Sequence, residues 1–374
     1  MPTRLAPTRP ARVLPARVLI VDDSALMRQM LSTILSSDPD IEVVGTAPDP
    51  LVAREKIKAL NPDVLTLDVE MPRMDGLAFL EKLMTLRPMP VVMVSSLTEH
   101  GAEVTLRALE LGAVDVFCKP SDASSGGLMA LGHVLIDKVK AAAMARVRAL
   151  GDRHPPAPVS LAVTTLYKSS DRLVAIGAST GGVEALRDII TALPPDAPPT
   201  LITQHIPPKF SSSFAERLNG LSAVRVKEAV DGERIVSGHV YIAPGDRHLA
   251  VRRSGAQLVC HCYDGPLVGG HKPSVNVLFH SVAETCGAKA VGVILTGMGR
   301  DGADGLLAMR KAGAATIGED ESSCVVYGMP KAAFDLGALQ QQLPLSQIAG
   351  EILKLCRQDA IVKSVPPGRG EDIR

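Results

Sequence analysis

Three groups of residues in this chain have types and spacings that suit chemistry. The first is acidic. Asp22 and Asp23 directly follow the apolar run VLIV, and Asp68 follows VLTL. Carboxylates gathered at the C-terminal ends of strands repel one another unless a cation sits between them, and oxygen-only donors suit Mg²⁺. Ser95 ends the run VVMVS and Lys119 ends VDVFCK, which adds a hydroxyl and an ammonium to the same rim. That set suits transfer of a phosphoryl group onto Asp68, with Mg²⁺ and Lys119 neutralising charge on the phosphoryl oxygens. A strand-end Asp taken alone serves equally well as a helix cap. The ordered placement of these residue types on strands one, three, four and five favours the phosphoryl site.

The second group centres on GASTGG at 177–182, between the apolar run LVAI and a helical pattern. It satisfies G-x-S-x-G in a strand–turn–helix setting. One reading is an exposed nucleophile, Ser179, beside helix-start N–H groups that stabilise an oxyanion; the other is a glycine-rich turn that binds phosphate. A serine nucleophile needs a base. His205 ends the run LITQ, next to Gln204, and Asp301 follows AVGVIL within TGMGRDG, so three strand ends supply Ser, His and Asp for acyl transfer. Their order along the chain differs from the Ser, Asp, His order of α/β-hydrolases. The third group, Cys260-His261-Cys262, places both thiols on one face of a strand and the imidazole on the other. That is poor geometry for one zinc ion, and core packing is the favoured reading.

The elements that must position these groups are legible as alternation. From Arg17 to Pro120 five β-rich runs alternate with helical patterns, which predicts five βα units on a parallel sheet covered on both faces. A Ser/Gly-rich stretch, a helical segment over about 128–150 and the run GDRHPPAPVS then form a linker. The Arg and Lys side chains over 138–153 read as a solvated helix face. A second α/β region runs from about 171 to Cys356, with β-like runs LVAIGA, PTLITQH, HVYIAP, HLAVRR, QLVCHC, AVGVILTG and AATIGED. Helices are expected near 183–192, 211–218, 274–285, 302–311 and 346–355.

Composition narrows the function class. The 374 residues carry 40 basic and 40 acidic side chains, which gives no electrostatic footprint for nucleic acid or an anionic membrane. Hydrophobic residues make up 46% and aromatics 3%, with no Trp, so the cores must be built from aliphatic side chains. No apolar run reaches the ~18 residues of a membrane-spanning helix, and the basic N-terminus lacks the apolar region of a secretory signal. Six scattered cysteines are too few for a disulfide framework. A cytoplasmic, multidomain protein with no membrane insertion is expected.

Asp22-Asp23, Asp68 with EMPRMDG, Ser95 and Lys119-Pro120 together resemble a two-component receiver domain. The resemblance implies a doubly wound, five-stranded, flavodoxin-like parallel sheet and phosphorylation of Asp68 by a histidine kinase. It also implies Mg²⁺ held by Asp22, Asp23 and Asp68, and signalling through Ser95 and Lys119. One departure stands out, because the aromatic residue that receivers often carry three positions before the Lys is here Val116, with Phe117 beside it. GASTGG, Gln204-His205, YIAPGDRHL at 241–249, KPSVNVLF at 272–279 and TGMGRDG resemble the effector domain of the chemotaxis methylesterases, the CheB family. That implies Ser179 as nucleophile, His205 as base, Asp301 as its partner, and Thr180 and Met298 as residues that bind and polarise the ester. The implied reactions are hydrolysis of glutamate 5-methyl esters on methyl-accepting chemoreceptors, with release of methanol, and deamidation of receptor glutamines. Ester hydrolysis requires no cofactor.

The resulting organisation is a tail over 1–16, a receiver over 17–122, a linker over 123–170, a second α/β domain with a mainly parallel sheet over 171–357, and a tail over 358–374. Phosphorylation of one domain must then act across an interface. The expectation is that the unphosphorylated receiver covers the Ser179 rim and that phosphorylation weakens this docking. A response regulator whose output domain only binds a partner is the competing class, and it has no need of all three residues Ser179, His205 and Asp301.

Overall fold

The computed structural model describes residues 14–71, 75–96, 98–119, 131–147 and 172–357. Most of the expected linker and nearly all of both expected tails lie outside the described residues. Five strands, β1 (Ala16–Val21), β2 (Ile41–Ala47), β3 (Val64–Asp68), β4 (Val91–Ser96) and β5 (Asp115–Lys119), form one parallel sheet in the order β2-β1-β3-β4-β5. Between them run α1 (Ala25–Leu35), α2 (Pro50–Leu60), α3 (Gly76–Leu86) and α4 (Glu99–Glu110). The inner strands β1 and β3 are nearly continuous buried runs because helices cover both faces. Helix starts are set by side chains: Ser24 accepts from Met27 N, Asp49 from Leu51 and Val52 N, and Asp75 from Ala78 N. The order reverses between β1 and β3, which opens a crevice at their C-terminal ends.

After α5 (Gly132–Met144), seven strands build a second, wholly parallel sheet. These are β6 (Leu173–Ala178), β7 (Thr200–Gln204), β8 (Arg225–Glu228), β9 (His239–Ile242), β12 (Ala290–Ile294), β13 (Ala315–Glu319) and β14 (Gln341–Leu343), in the order β14-β13-β12-β6-β7-β9-β8. The helices are α6 (Gly182–Thr191), α7 (Phe210–Leu221), α8 (Val275–Cys286), α9 (Ala303–Lys311), α10 (Met329–Asp335) and α11 (Leu345–Leu355). The runs HLAVRR and QLVCHC do not join this sheet. They form a separate antiparallel hairpin of β10 (His248–Ser254) and β11 (Gln257–Tyr263) that packs on α8. Within it Cys260 and Cys262 are buried, while His261 turns outward to Asp231 (2.9 Å). The short edge strands β8 and β14 and the seven-residue α10 have no apolar run long enough to announce them.

Of the cations over 138–153, Arg148 and Arg153 lie outside the described residues, and the other three have carboxylate partners. Lys138 pairs with Asp115 (2.5 Å), Lys140 with Asp38 and Asp40, and Arg146, just beyond the helix, with Glu321 (2.8 Å). The segment therefore straddles the two sheets, a role that periodicity alone does not reveal.

One apolar cluster runs from the receiver-like sheet, through Leu106 and Leu109 of α4, into Val183, Leu186 and Phe214 of α6 and α7. The other face of the second sheet packs on α8, where Phe279 is fully buried. Phe279→Ala should lower stability by about 3–5 kcal/mol, since the cavity adds to the lost transfer energy. Denaturant unfolding followed by circular dichroism measures it, and a loss below about 1 kcal/mol would mean that the α8 layer collapses around the gap.

Candidate active site

The sheet order of the second domain reverses between β6 and β12, so their C-terminal ends frame a crevice. Ser179 follows β6, His205 follows β7 on one side, and Asp301 lies in the loop after β12 on the other. Gly181, with φ of 79°, takes the left-handed conformation that turns the chain from β6 into α6. Gly297 permits a close approach, since a Cβ there would lie 2.7 Å from Ser179 Cβ. Gln204 Nε2 donates to the Ser179 carbonyl (2.9 Å), which pins the turn to β7.

The three expected side chains meet. His205 Nδ1 lies 3.1 Å from Ser179 Oγ, and His205 Nε2 lies 2.8 Å from Asp301 Oδ2. An ionised carboxylate only accepts, so Nε2 carries the proton and Nδ1 presents its lone pair to the serine. Asp301 is 4% exposed. It also accepts from Ser274 Oγ (2.8 Å), Val275 N (2.7 Å) and Asn276 N (3.0 Å), the N-terminus of α8. Burial alone would push this carboxyl up; the His205 ring and the Asn276 and Val275 N–H groups outweigh it and hold Asp301 below its ordinary value.

Sequence reasoning assigned no role to Ser274, Val275 or Asn276, although Pro-Ser before an apolar helical run is a helix-start signal. It also missed His271, whose ring stacks on His205 with centroids 3.9 Å apart and planes 6° from parallel. Burial and the neighbouring His205 pull His271 down to about 4.

The receiver-like domain closes over this rim. Val116 lines a narrow gap together with Ser179 and His205. A bulkier ring at that position would have to share the gap, whereas Phe117 points to the opposite face and packs with Leu135 and Val139 of α5. Thr180, expected to bind and polarise the ester, donates its side-chain hydroxyl to Asp115 Oδ2. Asp115 Oδ1 accepts from Lys138, and Arg217 of α7 pairs with Glu110 of α4. Met298 lies in the loop beside Ser179; among the described residues no hydrogen bond engages its backbone N–H or that of Thr180.

The acidic group also assembles. One ligand atom from each of Asp22, Asp23 and Asp68 lies within 4.8 Å of the others, a set of hard oxygen donors that fits a divalent cation. Lys119 Nζ approaches Asp68 (2.8 Å) and Asp22 (3.2 Å). Burial raises Asp68 to about 6, against the pull of Lys119 and with a further push from Asp22. Ser95 is the penultimate residue of β4 on the same rim, its hydroxyl 3.4 Å from the Gly101 carbonyl.

Comparisons with known proteins identify the family. Residues 174–352 match the family described as CheB methylesterase, and residues 18–126 match the response regulator receiver domain. The protein-glutamate methylesterase/protein-glutamine glutaminase of Salmonella typhimurium is 59% identical over 339 residues, covering 90% of this chain and 96% of the relative. The Thermotoga maritima CheB methylesterase catalytic domain is 38% identical, with a TM-score of 0.49, over 50% of this chain and 99% of that one. The Thermotoga maritima CheB response regulator domain is 46% identical, with a TM-score of 0.33, over 34% of this chain and 96% of that one.

The stacked His271 ring generates a pH prediction. Between an ordinary 6.5 and a folded value of about 4, the unfolded chain binds the extra proton, so stability should fall as pH drops through that window. Thermal melts from pH 7.5 to 4.5 should show a steeper acid loss in the wild type than in His271→Asn; parallel curves would mean that this ring is not held neutral. With 59% identity over 90% of the chain and both family matches in the same order, this chain belongs to the CheB family, a receiver domain joined to a methylesterase domain.

Proposed function

We propose that this chain hydrolyses glutamate 5-methyl esters on chemoreceptors and deamidates receptor glutamines, and that phosphorylation of Asp68 controls both reactions. The observation that carries the reading is the hydrogen-bonded chain Ser179–His205–Asp301 at three neighbouring strand ends. Ser179 Oγ attacks the ester carbonyl while His205 Nδ1 takes its proton. Asp301 accepts the Nε2–H and stabilises the imidazolium that forms. The Thr180 and Met298 N–H groups receive the oxyanion. Collapse of the tetrahedral intermediate returns the His205 proton to the departing methoxide, which leaves as methanol. Water, deprotonated by the same ring, then cleaves the glutamyl ester and restores Ser179. With a glutamine side chain the same steps release ammonia.

In the receiver, Asp22, Asp23 and Asp68 would hold Mg²⁺, which would screen the negative charge of an incoming phosphoryl group. Asp68 accepts that group from a histidine kinase, Lys119 pairs with its oxygens, and Ser95 is positioned to donate to it. On this reading the receiver spans 17–122 and the methylesterase domain 171–357, with a linker over 123–170 between them. Regulation follows from the docking described above. The carboxylate of Asp115 holds the Thr180 hydroxyl, and Asp115 opens the same five-residue strand that ends in Lys119. Movement of Lys119 toward a phosphoryl group on Asp68 is thereby coupled to the contact that covers the ester site.

Methanol release from methyl-esterified receptor membranes tests the reading. Ser179→Ala should lose at least about 10³-fold, and Asp301→Asn a comparable factor, through the wrong His205 tautomer. A small phosphodonor with Mg²⁺ should stimulate the wild type and leave Asp68→Asn unchanged. Methanol release by Ser179→Ala at the wild-type rate would remove the nucleophile assignment. Asp115→Ala should raise activity without phosphodonor severalfold and shrink the stimulation; an unchanged ratio would show that this contact does not restrain the site.

A further inference from the structure

We propose that Glu319 is a positioning residue for ester cleavage, acting through Thr296 on the Ser179–Thr180 turn. The inference rests on the reading of Ser179 as nucleophile. Glu319 ends β13, beside the end of β12, and its side chain is fully buried. Its Oε2 accepts from Thr296 N (2.9 Å) and its Oε1 from Ser323 Oγ (3.0 Å). Among the described residues no Lys, Arg or His forms an ion pair with it.

A buried carboxylate without a cation is costly, and an aliphatic side chain would fill the space without that cost. Burial accordingly raises Glu319 to about 7. What an aliphatic residue lacks is an acceptor for Thr296. Thr296 grips the nucleophile turn at two points: its carbonyl accepts from Ser179 N (3.0 Å), and its hydroxyl lies 3.0 Å from the Thr180 carbonyl. That hydroxyl also accepts from Val326 N (3.0 Å), while Ser323 Oγ accepts from Leu345 N (3.0 Å). Glu319 thus fixes the residue that sets the height of Ser179 against His205, and it touches neither of them.

The full chain, with phosphodonor and Mg²⁺ present, distinguishes positioning from filling. Methanol release from methyl-esterified receptor membranes gives kcat and KM, and labelling by a fluorophosphonate gives the reactivity of Ser179 without turnover. Glu319→Leu and Glu319→Met should lose about 10-fold or more in kcat and in labelling rate, with KM within about twofold. Glu319→Gln keeps an acceptor for Thr296 N and should stay within about twofold of wild type in both. The proposal is overturned if the Leu and Met variants label at the wild-type rate, or if Gln fails as they do. It is also overturned if both apolar variants are unfolded by circular dichroism, since Glu319 would then hold the fold rather than the turn. Absence of Ser179 labelling in the wild-type chain would overturn the nucleophile reading beneath it.

Discussion

The negative charge of Asp301, held almost without solvent, is the constraint on which the methylesterase domain depends. An ionised carboxylate there must be met by donors, and the fold supplies four: the His205 ring, the Ser274 hydroxyl and the first two N–H groups of α8. The same arrangement orients His205, because only the protonated Nε2 satisfies Asp301. That leaves Nδ1 unprotonated toward Ser179, the one tautomer useful for taking a proton. The start of α8 is in turn fixed to α9 by Asn276 Oδ1 accepting from Gly305 N (2.8 Å). Geometry, tautomer and charge are one requirement met by a single helix terminus.

The chain uses one architectural rule twice. Each domain is a parallel sheet, and each places its chemistry where strand order reverses. In the receiver that position gathers Asp22, Asp23 and Asp68, and in the methylesterase it gathers Ser179, His205 and Asp301. The two are joined by short physical links. The strand β5 carries Lys119 at the end paired with Asp68 and Asp115 at the end bonded to Thr180. Val116, between them, lines the gap over Ser179 and His205.

Much of this was legible in the sequence because parallel strands announce their C-terminal ends. An apolar run followed by Asp, Ser, His or Lys states which rim the side chain occupies, and Ser179, His205, Asp301, Asp22, Asp23 and Asp68 were all readable that way. Contacts between side chains far apart in sequence were not. Nothing local marks Asp115 as the partner of Thr180, His271 as the ring stacked on His205, or Glu319 as the acceptor behind Thr296. The β10–β11 hairpin was legible as strands but not as a separate pair, because alternation of buried and exposed residues is the same in either sheet. The cations of α5 read as surface charge, and only the packing of two domains gives them partners.

On the proposed reading, one interface restrains the ester-cleaving turn and phosphorylation of the receiver releases it. Hydrogen–deuterium exchange of the full chain, with and without Mg²⁺ and beryllofluoride as a phosphoryl mimic, tests it directly. Faster exchange is expected at 179–187 and at 106–116 together, in parallel with faster methanol release. Exchange unchanged at 179–187 while methanol release rises would contradict it.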